Sequence, residues 1–343
     1  MARTIRLDDT NELGKLLSRS FQSGHINFLI GSGASFPAIA PAGAVEKQIA
    51  DLIALGDESE ASQRMYEFLL SVQTPSNKLI ADVDDPNNTA TLQAYTEYLR
   101  TVEILLSERR TTLLPKQATI FTTNYDLFIE KASTQFPAMT LNDGFTRGPR
   151  LDGRMQYSSR NFFNKTYNIG NLYNYRVEIP CINLIKLHGS LSWRRDDADF
   201  LFDVAVRDPL DPLLAGEDEV KQFIESYAVV LPHAAKFEAT LMERTYYDLL
   251  RIFANELDRE NTLLVAFGFS FADEHIRDIV SRGLRNPTLR LMTFAHSDDD
   301  ITRFSNIFEG NANVDIIAPK AGELIDFVAF NTALRGTLPV ATT

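Results

Sequence analysis

The chain has 343 residues, a formal net charge of −12, 44% apolar residues and 23% charged residues. These values are ordinary for a globular protein and exclude a disordered or fibrous chain. The acidic balance argues against direct binding of nucleic acid through its phosphates. With no long apolar run and no signal peptide in the sequence, we expect a cytoplasmic protein without a membrane span.

The sequence gives no pattern for a metal site. Its single cysteine, Cys181, excludes an internal disulfide and a zinc ribbon of cysteines, since each needs at least two. We expect Cys181 to be a small buried residue of a strand. The run Asp298 to Asp300 is typical of a helix start, because adjacent carboxylates on a helix point in different directions. We therefore predict a protein without a bound metal.

Short apolar runs alternate with longer amphipathic stretches along the chain. This pattern predicts an α/β fold, a Rossmann-like parallel sheet flanked by helices, in one domain over residues 1–343. The predicted strands, each buried on both faces, are 26–30, 118–122, 182–187, 228–232, 262–267, 289–294 and 313–318. The predicted helices are 44–55, 60–72, 88–110, 126–134, 235–259, 273–285, 298–309 and 321–334.

Two regions interrupt the alternation. Residues 36–115 are mostly helical and predict a helical insertion, or subdomain, between the first two strands. Residues 142–181 are rich in Gly, Asn and aromatic residues without clear periodicity. Long irregular segments of this kind often form lids or binding loops. A short-stranded excursion or a subunit interface explains the second region equally well.

A glycine-rich loop follows the first predicted strand. Gly31 and Gly33 have no Cβ, so the backbone amides here could approach an anion such as a phosphate. A dinucleotide oxidoreductase would have a third small residue where Phe36 stands, and Pro37 and Pro41 delay the next helix to about residue 44. Either a phosphate loop with a longer cover or a tight turn without ligand fits this pattern.

Polar residues follow the second predicted strand. Thr123 and Asn124 come after the apolar run, and Asp126 begins an amphipathic helix. These groups fall at the carboxyl end of a parallel strand beside a helix N-terminus, where open α/β sheets bind ligands. Helix capping would use one of the three, which leaves two for a substrate.

A histidine follows the third predicted strand. His188 is succeeded by Gly189 and Ser190, so its imidazole also falls at the carboxyl end of a strand. An imidazole that titrates near neutrality is a candidate general base there, although a lone histidine is often structural. No second His, Cys or Glu stands at metal-ligand spacing.

The fourth segment covers residues 262–280. A strand leads through Gly268, Phe269 and Ser270 into a helix, and this turn could hold a ribose or a phosphate at the helix N-terminus. We interpret Asp273 as the N-cap of that helix and His275 as a surface residue, neither of them catalytic.

Together and in this order, the four motifs resemble those of the Sir2 (sirtuin-like) family. They are GSGAS at 31–35, TTNYD at 122–126, the pair His188–Gly189 and GFS at 268–270. The segments FTTNYD, LNDGF, KLHGSLSW and GFSFADEHI are most similar to prokaryotic Sir2-like proteins of antiviral defence, in particular the Sir2 subunit encoded beside a HerA-type ATPase. The resemblance covers about residues 25–330.

This resemblance implies roles for individual residues. Asn124 would hold the nicotinamide ribose and the attacking water, and His188 would act as the base. Asp126, close to the implied NAD contact Thr123, would help to fix the nicotinamide side of NAD. Phe36 would exclude bulk water from that side. The other implied NAD contacts are the pyrophosphate loop Gly31, Ser32, Gly33, Ala34 and Ser35, the adenosine-ribose segment Gly268, Phe269 and Ser270, and the adenine-end residues Ala295 and His296.

Two departures from protein-deacylating sirtuins favour a different reaction. Those enzymes carry a four-cysteine zinc module, and they usually have Gln before the catalytic Asn, where this chain has Thr123. The resemblance therefore implies an NAD glycohydrolase, which consumes NAD and releases nicotinamide and ADP-ribose. A subunit that senses NAD or ADP-ribose without hydrolysis and a protein deacylase are the alternatives. The closest resemblance also implies a homo-oligomer that acts with a HerA-type hexameric ATPase in anti-phage defence.

Overall fold

Most strands belong to one parallel sheet. The computed structural model describes residues 2–109, 113–148, 151–170, 176–196, 199–210, 216–231 and 244–338. In chain order its strands are β1 (Arg3–Arg6), β2 (His25–Ile30), β3 (Gln117–Thr122), β4 (Thr140–Asn142), β5 (Met155–Gln156), β6 (Tyr167–Ile169), β7 (Arg176–Glu178), β8 (Cys181–Lys186), β9 (Trp193–Asp196), β10 (Asp199–Phe202), β11 (Thr262–Phe267), β12 (Arg290–Phe294) and β13 (Val314–Ala318). The large sheet has the order β1-β13-β12-β11-β2-β3-β8-β4, with every neighbouring pair parallel.

Helices cover both faces of this sheet. The described helices are α1 (Thr10–Ser23), α2 (Gly43–Ala54), α3 (Glu58–Ile80), α4 (Pro86–Ser107), α5 (Phe128–Ser133), α6 (Glu217–Glu225), α7 (Arg244–Asp258), α8 (Glu274–Gly283), α9 (Asp298–Ile307) and α10 (Phe327–Arg335). Aspartate side chains accept hydrogen bonds from first-turn amides and so fix where several of them begin. These N-caps are Asp9, Asp57, Asp85, Asp273 and Asp326.

The predicted fold class, a Rossmann-like parallel sheet flanked by helices, is confirmed. Six of the seven predicted strands lie in the large sheet, each to within one residue of its predicted bounds. The prediction of a strand at 228–232 was wrong over its described part: residues 228–231 make only one antiparallel bridge, between Val229 and Gly189. They are apolar because they are buried against the loop after β8, and Pro232 lies outside the described residues.

The N-terminal elements β1 and α1 were not predicted from the sequence. In β1 only Ile5 is buried, so the strand has no apolar run, and it joins the sheet at the edge through β13. Helix α1 did carry a signal, since Leu13, Leu17 and Phe21 recur at helical spacing and are all buried. Cys181 lies at the start of β8, where burial raises the pKa of its thiol to about 12.

Three helices, α2 to α4, occupy the chain between β2 and β3, where the sequence predicts an insertion at 36–115. The segment 142–181 contains the short strands β5 to β7 in its described part, and aromatic residues from it pack on Trp193. The division into one domain with a subdomain, and the function of 142–181 as lid or interface, remain predictions. Among the described residues, no helix combines the length and apolarity that a bilayer crossing requires.

The strand order determines where a ligand can bind. Strand β2 pairs with β3 on one side and with β11 on the other. The chain therefore runs outward from β2 through β3 and β8 on one side, and later from β11 through β12 and β13 on the other. In open α/β sheets such a switch point creates a crevice at the carboxyl ends of the strands. All four sequence motifs follow strands that end at this edge.

Candidate functional site

A cavity of about 450 Å³ lies over the carboxyl edge of the sheet. Its lining reaches from the end of β8 to the end of β12. These strands are four intervals apart, or roughly 19 Å at a spacing of about 4.8 Å per strand. An elongated ligand therefore suits the cavity better than a compact one.

The cavity has two different ends. What we call the buried end consists of Thr123, Asn124, Asp126, His188 and Asp273, and the open end consists of Ser270, His296, Asp300 and Arg303. Asn124, Asp126 and His188 are 4–7% exposed, whereas the side chain of Arg303 is 47% exposed.

Most of the site residues predicted from the sequence surround this one cavity. The predicted residues in its lining are Ser32, Gly33, Ser35, Phe36, Thr123, Asn124, Asp126, His188, Gly268, Phe269, Ser270 and His296. Gly31, Ala34 and Ala295 are buried behind the lining. The structure thus brings four segments that are distant in sequence to one place.

The glycines of the first motif serve a contact between two loops. A Cβ on Gly31 would overlap the carbonyl oxygen of Gly268, and one on Gly33 would lie 2.9 Å from the Gly268 Cα. The amides of Gly31 and Gly33 donate to the carbonyl oxygens of Phe267 and Gly268, at 3.0 Å each. Of the three glycines only Gly268 has a positive φ, +64°. Close approach of the backbones, more than access to an anion, therefore requires glycine at 31 and 33.

Asn124 is held by a buried hydrogen-bond network. Its Nδ2 donates to the Gly31 carbonyl oxygen at 3.0 Å, to Ser35 Oγ at 3.1 Å and to the Tyr95 hydroxyl at 3.4 Å. The Gly31 carbonyl can only accept, so the amide nitrogen must face it and the orientation of the side chain is fixed. The other amide atom, Oδ1, is buried and has no hydrogen-bond partner among the described residues.

Ser35 and Tyr95 complete this network. Ser35 Oγ donates its one proton to Asp126 Oδ2 at 2.7 Å, so the Tyr95 hydroxyl, 3.0 Å away, donates to Ser35. Burial, together with Asp126 nearby, raises the pKa of Tyr95 well above its usual 10.0 and keeps it a donor. Tyr95 belongs to α4 and carried no local signal in the sequence.

A buried ion pair supports the loop that carries Asp126. Lys186 Nζ lies 2.6 Å from Glu130 Oε1 and donates to the carbonyl oxygen of Asp126 and to Ser190 Oγ. Burial raises the pKa of Glu130 above its usual value, although the Lys186 ammonium opposes this shift. The ammonium thus joins the end of β8 to the loop between β3 and α5.

The apolar segment 228–231 fixes the backbone of His188. The Val230 amide donates to the His188 carbonyl oxygen at 2.8 Å, and Val229 bridges to Gly189. Gly189 has a φ of +83°, and a Cβ on it would overlap the carbonyl oxygen of Ala228. The chain after His188 therefore turns sharply and leaves the imidazole in the cavity wall.

Asp273 is a site residue that sequence reasoning missed. It is the predicted N-cap of α8, since its Oδ1 accepts from the amides of His275 and Ile276 at 3.1 and 3.3 Å. Its second oxygen, Oδ2, lies 3.3 Å from His188 Nε2. The capping signal was correct, but it accounts for only one of the two carboxylate oxygens.

The segment after the glycine loop and the helix α3 supply the apolar part of the wall. Phe36 and residues 39–43 line the cavity up to the start of α2, and Phe36 is 62% exposed there. Phe68 and Val72 of α3 add further apolar surface to the lining. No sequence pattern distinguished these two from ordinary core residues.

The open end is polar and carries mixed charge. Asp300 accepts from the His296 amide at 3.0 Å and pairs with Arg303 at 2.7 Å. His296 Nδ1 lies 2.9 Å from the carbonyl oxygen of Ile325. Among the described residues, no group of three or more His, Cys, Asp or Glu side chains is gathered as a metal ion would require.

Comparison with known proteins gives a family. The SIR2-like domain family matches residues 118–317, more than half of the chain, a range that includes Asn124, His188 and the 268–270 segment but not the glycine loop. No curated protein matches. Among solved structures, the chain is similar to a crystal structure of a Sir2 homolog–NAD complex, with 15% identity, 94% of this chain and 93% of that chain covered, and a TM-score of 0.45. The chain belongs to the SIR2-like domain family.

Proposed function

We propose that the protein is an NAD glycohydrolase. The observation that carries the proposal is the state of Asn124: Nδ2 is anchored by three acceptors, while Oδ1 is a buried acceptor without a partner among the described residues. Buried polar atoms nearly always have a partner. A ribose hydroxyl or the attacking water would satisfy this oxygen, in a cavity that also contains His188.

The shape and polarity of the cavity fit a dinucleotide. Its length of roughly 19 Å along the sheet edge accommodates two nucleosides joined by a pyrophosphate. Ser32 and Gly33 lie in the middle of this length, at the end of the central strand β2. The open end, with Ser270 and His296, would take the adenosine, and the buried end would take the nicotinamide ribose.

The residues of the buried end suit the hydrolysis of the nicotinamide–ribose bond. When nicotinamide leaves with the bonding electron pair, positive charge develops on C1′, and the carboxylate of Asp126 stabilises it. Asn124 Oδ1 orients the water that attacks C1′. His188 accepts the proton that this water loses. The products are nicotinamide, ADP-ribose and one proton, which balances the reaction.

The primary test is the release of nicotinamide from NAD by the purified full chain. His188→Ala and Asn124→Ala should each lower the rate by about 10²–10⁴-fold, with folding checked by thermal unfolding. His275→Ala, on α8 outside the cavity lining, is the matched control and should retain wild-type activity. Tight NAD binding without release under any condition would identify a sensor instead.

We further propose that the chain acts as a homo-oligomer with a HerA-type hexameric ATPase in anti-phage defence. Motif similarity alone supports this step. Segments 36–115 and 142–181 are the proposed lids or oligomer contacts. Co-expression with the ATPase, followed by measurement of complex mass, nicotinamide release and phage plating efficiency, tests it. Equal NAD consumption with and without the ATPase, and no change in plating, would contradict it.

A further inference from the structure

We infer that Asp273 is a positioning residue for His188: it fixes the orientation of the imidazole and stabilises the protonated ring during NAD hydrolysis. The inference rests on the proposed function for its kinetic consequences. Its structural basis is the 3.3 Å separation between His188 Nε2 and Asp273 Oδ2, both in the lining of the cavity.

The pair joins two parts of the fold. His188 follows β8 and Asp273 follows β11, and the strands β3 and β2 lie between these two in the sheet. Their side chains are 7% and 11% exposed. The contact therefore links the ends of β8 and β11, and it is shielded from water. Asp273 contacts the imidazole from the β11 side of the cavity, whereas the backbone of His188 follows β8.

Asp273 is itself rigidly held. Its Oδ1 accepts two backbone amides at the start of α8, so the carboxylate cannot rotate away without losing the cap. A helix N-terminus also favours negative charge. Asp273 therefore holds its Oδ2 carboxylate oxygen at a fixed place beside His188, and α8 determines that place.

This geometry places a carboxylate beside one edge of the imidazole. An Asp273 oxygen 3.3 Å from Nε2 favours the protonated, positively charged ring over the neutral one. When His188 takes the proton that the attacking water loses, the ring becomes positive. The Asp273 carboxylate then stabilises the imidazolium.

Several other ionisable groups pack near His188. Lys186 of β8 is already paired with Glu130, and segment 228–231 has only apolar side chains. Among the described residues, the titratable groups that face this region are Asp126 and Tyr125 after β3, Tyr246 of α7, the Lys186–Glu130 pair, and Asp273 itself. Asp126 spends both carboxylate oxygens on Ser35 and on the Phe128 amide, whereas Asp273 directs one of its oxygens at the ring.

The variant Asp273→Asn separates positioning from folding. Asparagine caps a helix as well as aspartate, so the start of α8 should persist and thermal unfolding should be unchanged. We expect kcat for nicotinamide release to fall at least about tenfold while KM stays within about twofold. Such a pattern is typical when a general base keeps its place in the site but loses the group that supports it. The control Asp278→Asn, exposed on the same helix, should behave as wild type.

The pH profile gives a readout that a structural role alone would not move. A neighbouring carboxylate favours a charged imidazolium, and the base must be neutral to act. Removing the carboxylate should therefore move the acidic limb of the kcat profile to lower pH. If Asp273→Asn changes neither kcat nor the acidic limb of the kcat profile, the inference is overturned. It is also overturned if weaker NAD binding alone explains the lower activity.

A measurement independent of turnover keeps this inference separate from the proposed function. The chain has five histidines, so the ring signals of His188 can be assigned by NMR from the spectrum of His188→Gln. We expect its titration midpoint to fall in Asp273→Asn and to stay in place in Asp278→Asn. An equal midpoint in both variants refutes the role of Asp273. Absence of nicotinamide release from the wild type, with the midpoint shifted as expected, refutes only the hydrolase.

Discussion

The two ends of the cavity are built differently. At the buried end, Asn124 and Asp126 are both hydrogen-bonded to Ser35 behind them, and Ser35 also bonds Tyr95; all four residues are at most 7% exposed. At the open end the side chain of Arg303 is about half exposed, and Asp300 is its partner. The hydrolysis proposed above would thus take place where a low dielectric strengthens every hydrogen bond.

This difference has an energetic consequence. A buried hydrogen-bond network is rigid, but loss of one member leaves the others unpaired at a cost of about 1–3 kcal/mol each. An exposed pair contributes about 0–1 kcal/mol. We therefore expect substitutions at the buried end to alter stability and kcat together, and substitutions at the open end to alter mainly substrate affinity.

The largest effect is expected behind the buried end, at the Lys186–Glu130 pair. Lys186→Met should lower the free energy of unfolding by about 3–5 kcal/mol, because it leaves the Glu130 carboxylate buried without its counter-ion. Urea unfolding monitored by circular dichroism measures this change. The double variant Lys186→Met with Glu130→Leu should recover most of the stability, since an apolar pair replaces the ionic one. A single variant as stable as wild type would show that the buried end tolerates a free charge.

The next effect concerns the contact between the two glycine loops. Gly31→Ala should abolish measurable nicotinamide release and lower the melting temperature, because its Cβ would overlap the backbone of Gly268 and Phe269. Gly43→Ala is the matched control: Gly43 begins α2, and a Cβ added there would meet no atom within 4 Å. Its stability should be equal or slightly higher, since alanine is favoured over glycine in helices by about 1 kcal/mol. Equal melting temperatures for the two variants would contradict the close packing.

The sequence was sufficient to predict the large sheet because its central strands are continuous apolar runs. Strands β2, β3 and β11 are buried on both faces, which leaves a clear local signal. Segment 228–231 has the same composition but packs against the loop after β8. An apolar run in the sequence indicates that a segment is buried, but it does not indicate whether its backbone pairs with another strand.

The candidate site was predictable only in part. The motifs place Asn124 and His188 at strand ends, which follows from local pattern and parallel topology. The contributions of Tyr95 and of Asp273 depend on tertiary contacts with residues 29 and 85 positions away. Their local environments are an amphipathic helix and a helix cap, and neither distinguishes a site residue from a structural one.

A smaller effect tests whether Tyr95 is part of the chemistry at the buried end. Tyr95→Phe should lower the free energy of unfolding by about 0.5–1.5 kcal/mol and kcat by roughly tenfold, because Ser35 and Asn124 lose a partner and misplacement of a site group is costly. Tyr98→Phe, one turn along α4, is the control, since the Tyr98 hydroxyl is buried without a hydrogen-bond partner among the described residues. Removal of that hydroxyl should leave kcat unchanged. Equal losses in both variants would show that general packing, and not the network, governs activity.

The smallest effect is expected at the open end. In the described part of the cavity lining, Arg303 is the sole Arg or Lys side chain, against the carboxylates of Asp126, Asp273, Asp300 and Asp326. An anionic dinucleotide would gain from that guanidinium, but its exposure and its pairing with Asp300 limit the gain. Arg303→Gln should raise KM for NAD about three- to fivefold and leave kcat unchanged, with a smaller difference from wild type at high salt. Arg282→Gln, exposed on α8, should change neither constant. A loss in kcat at Arg303 would mean that the two ends are coupled, and the division between a rigid chemical end and an adaptable binding end would then have to be abandoned.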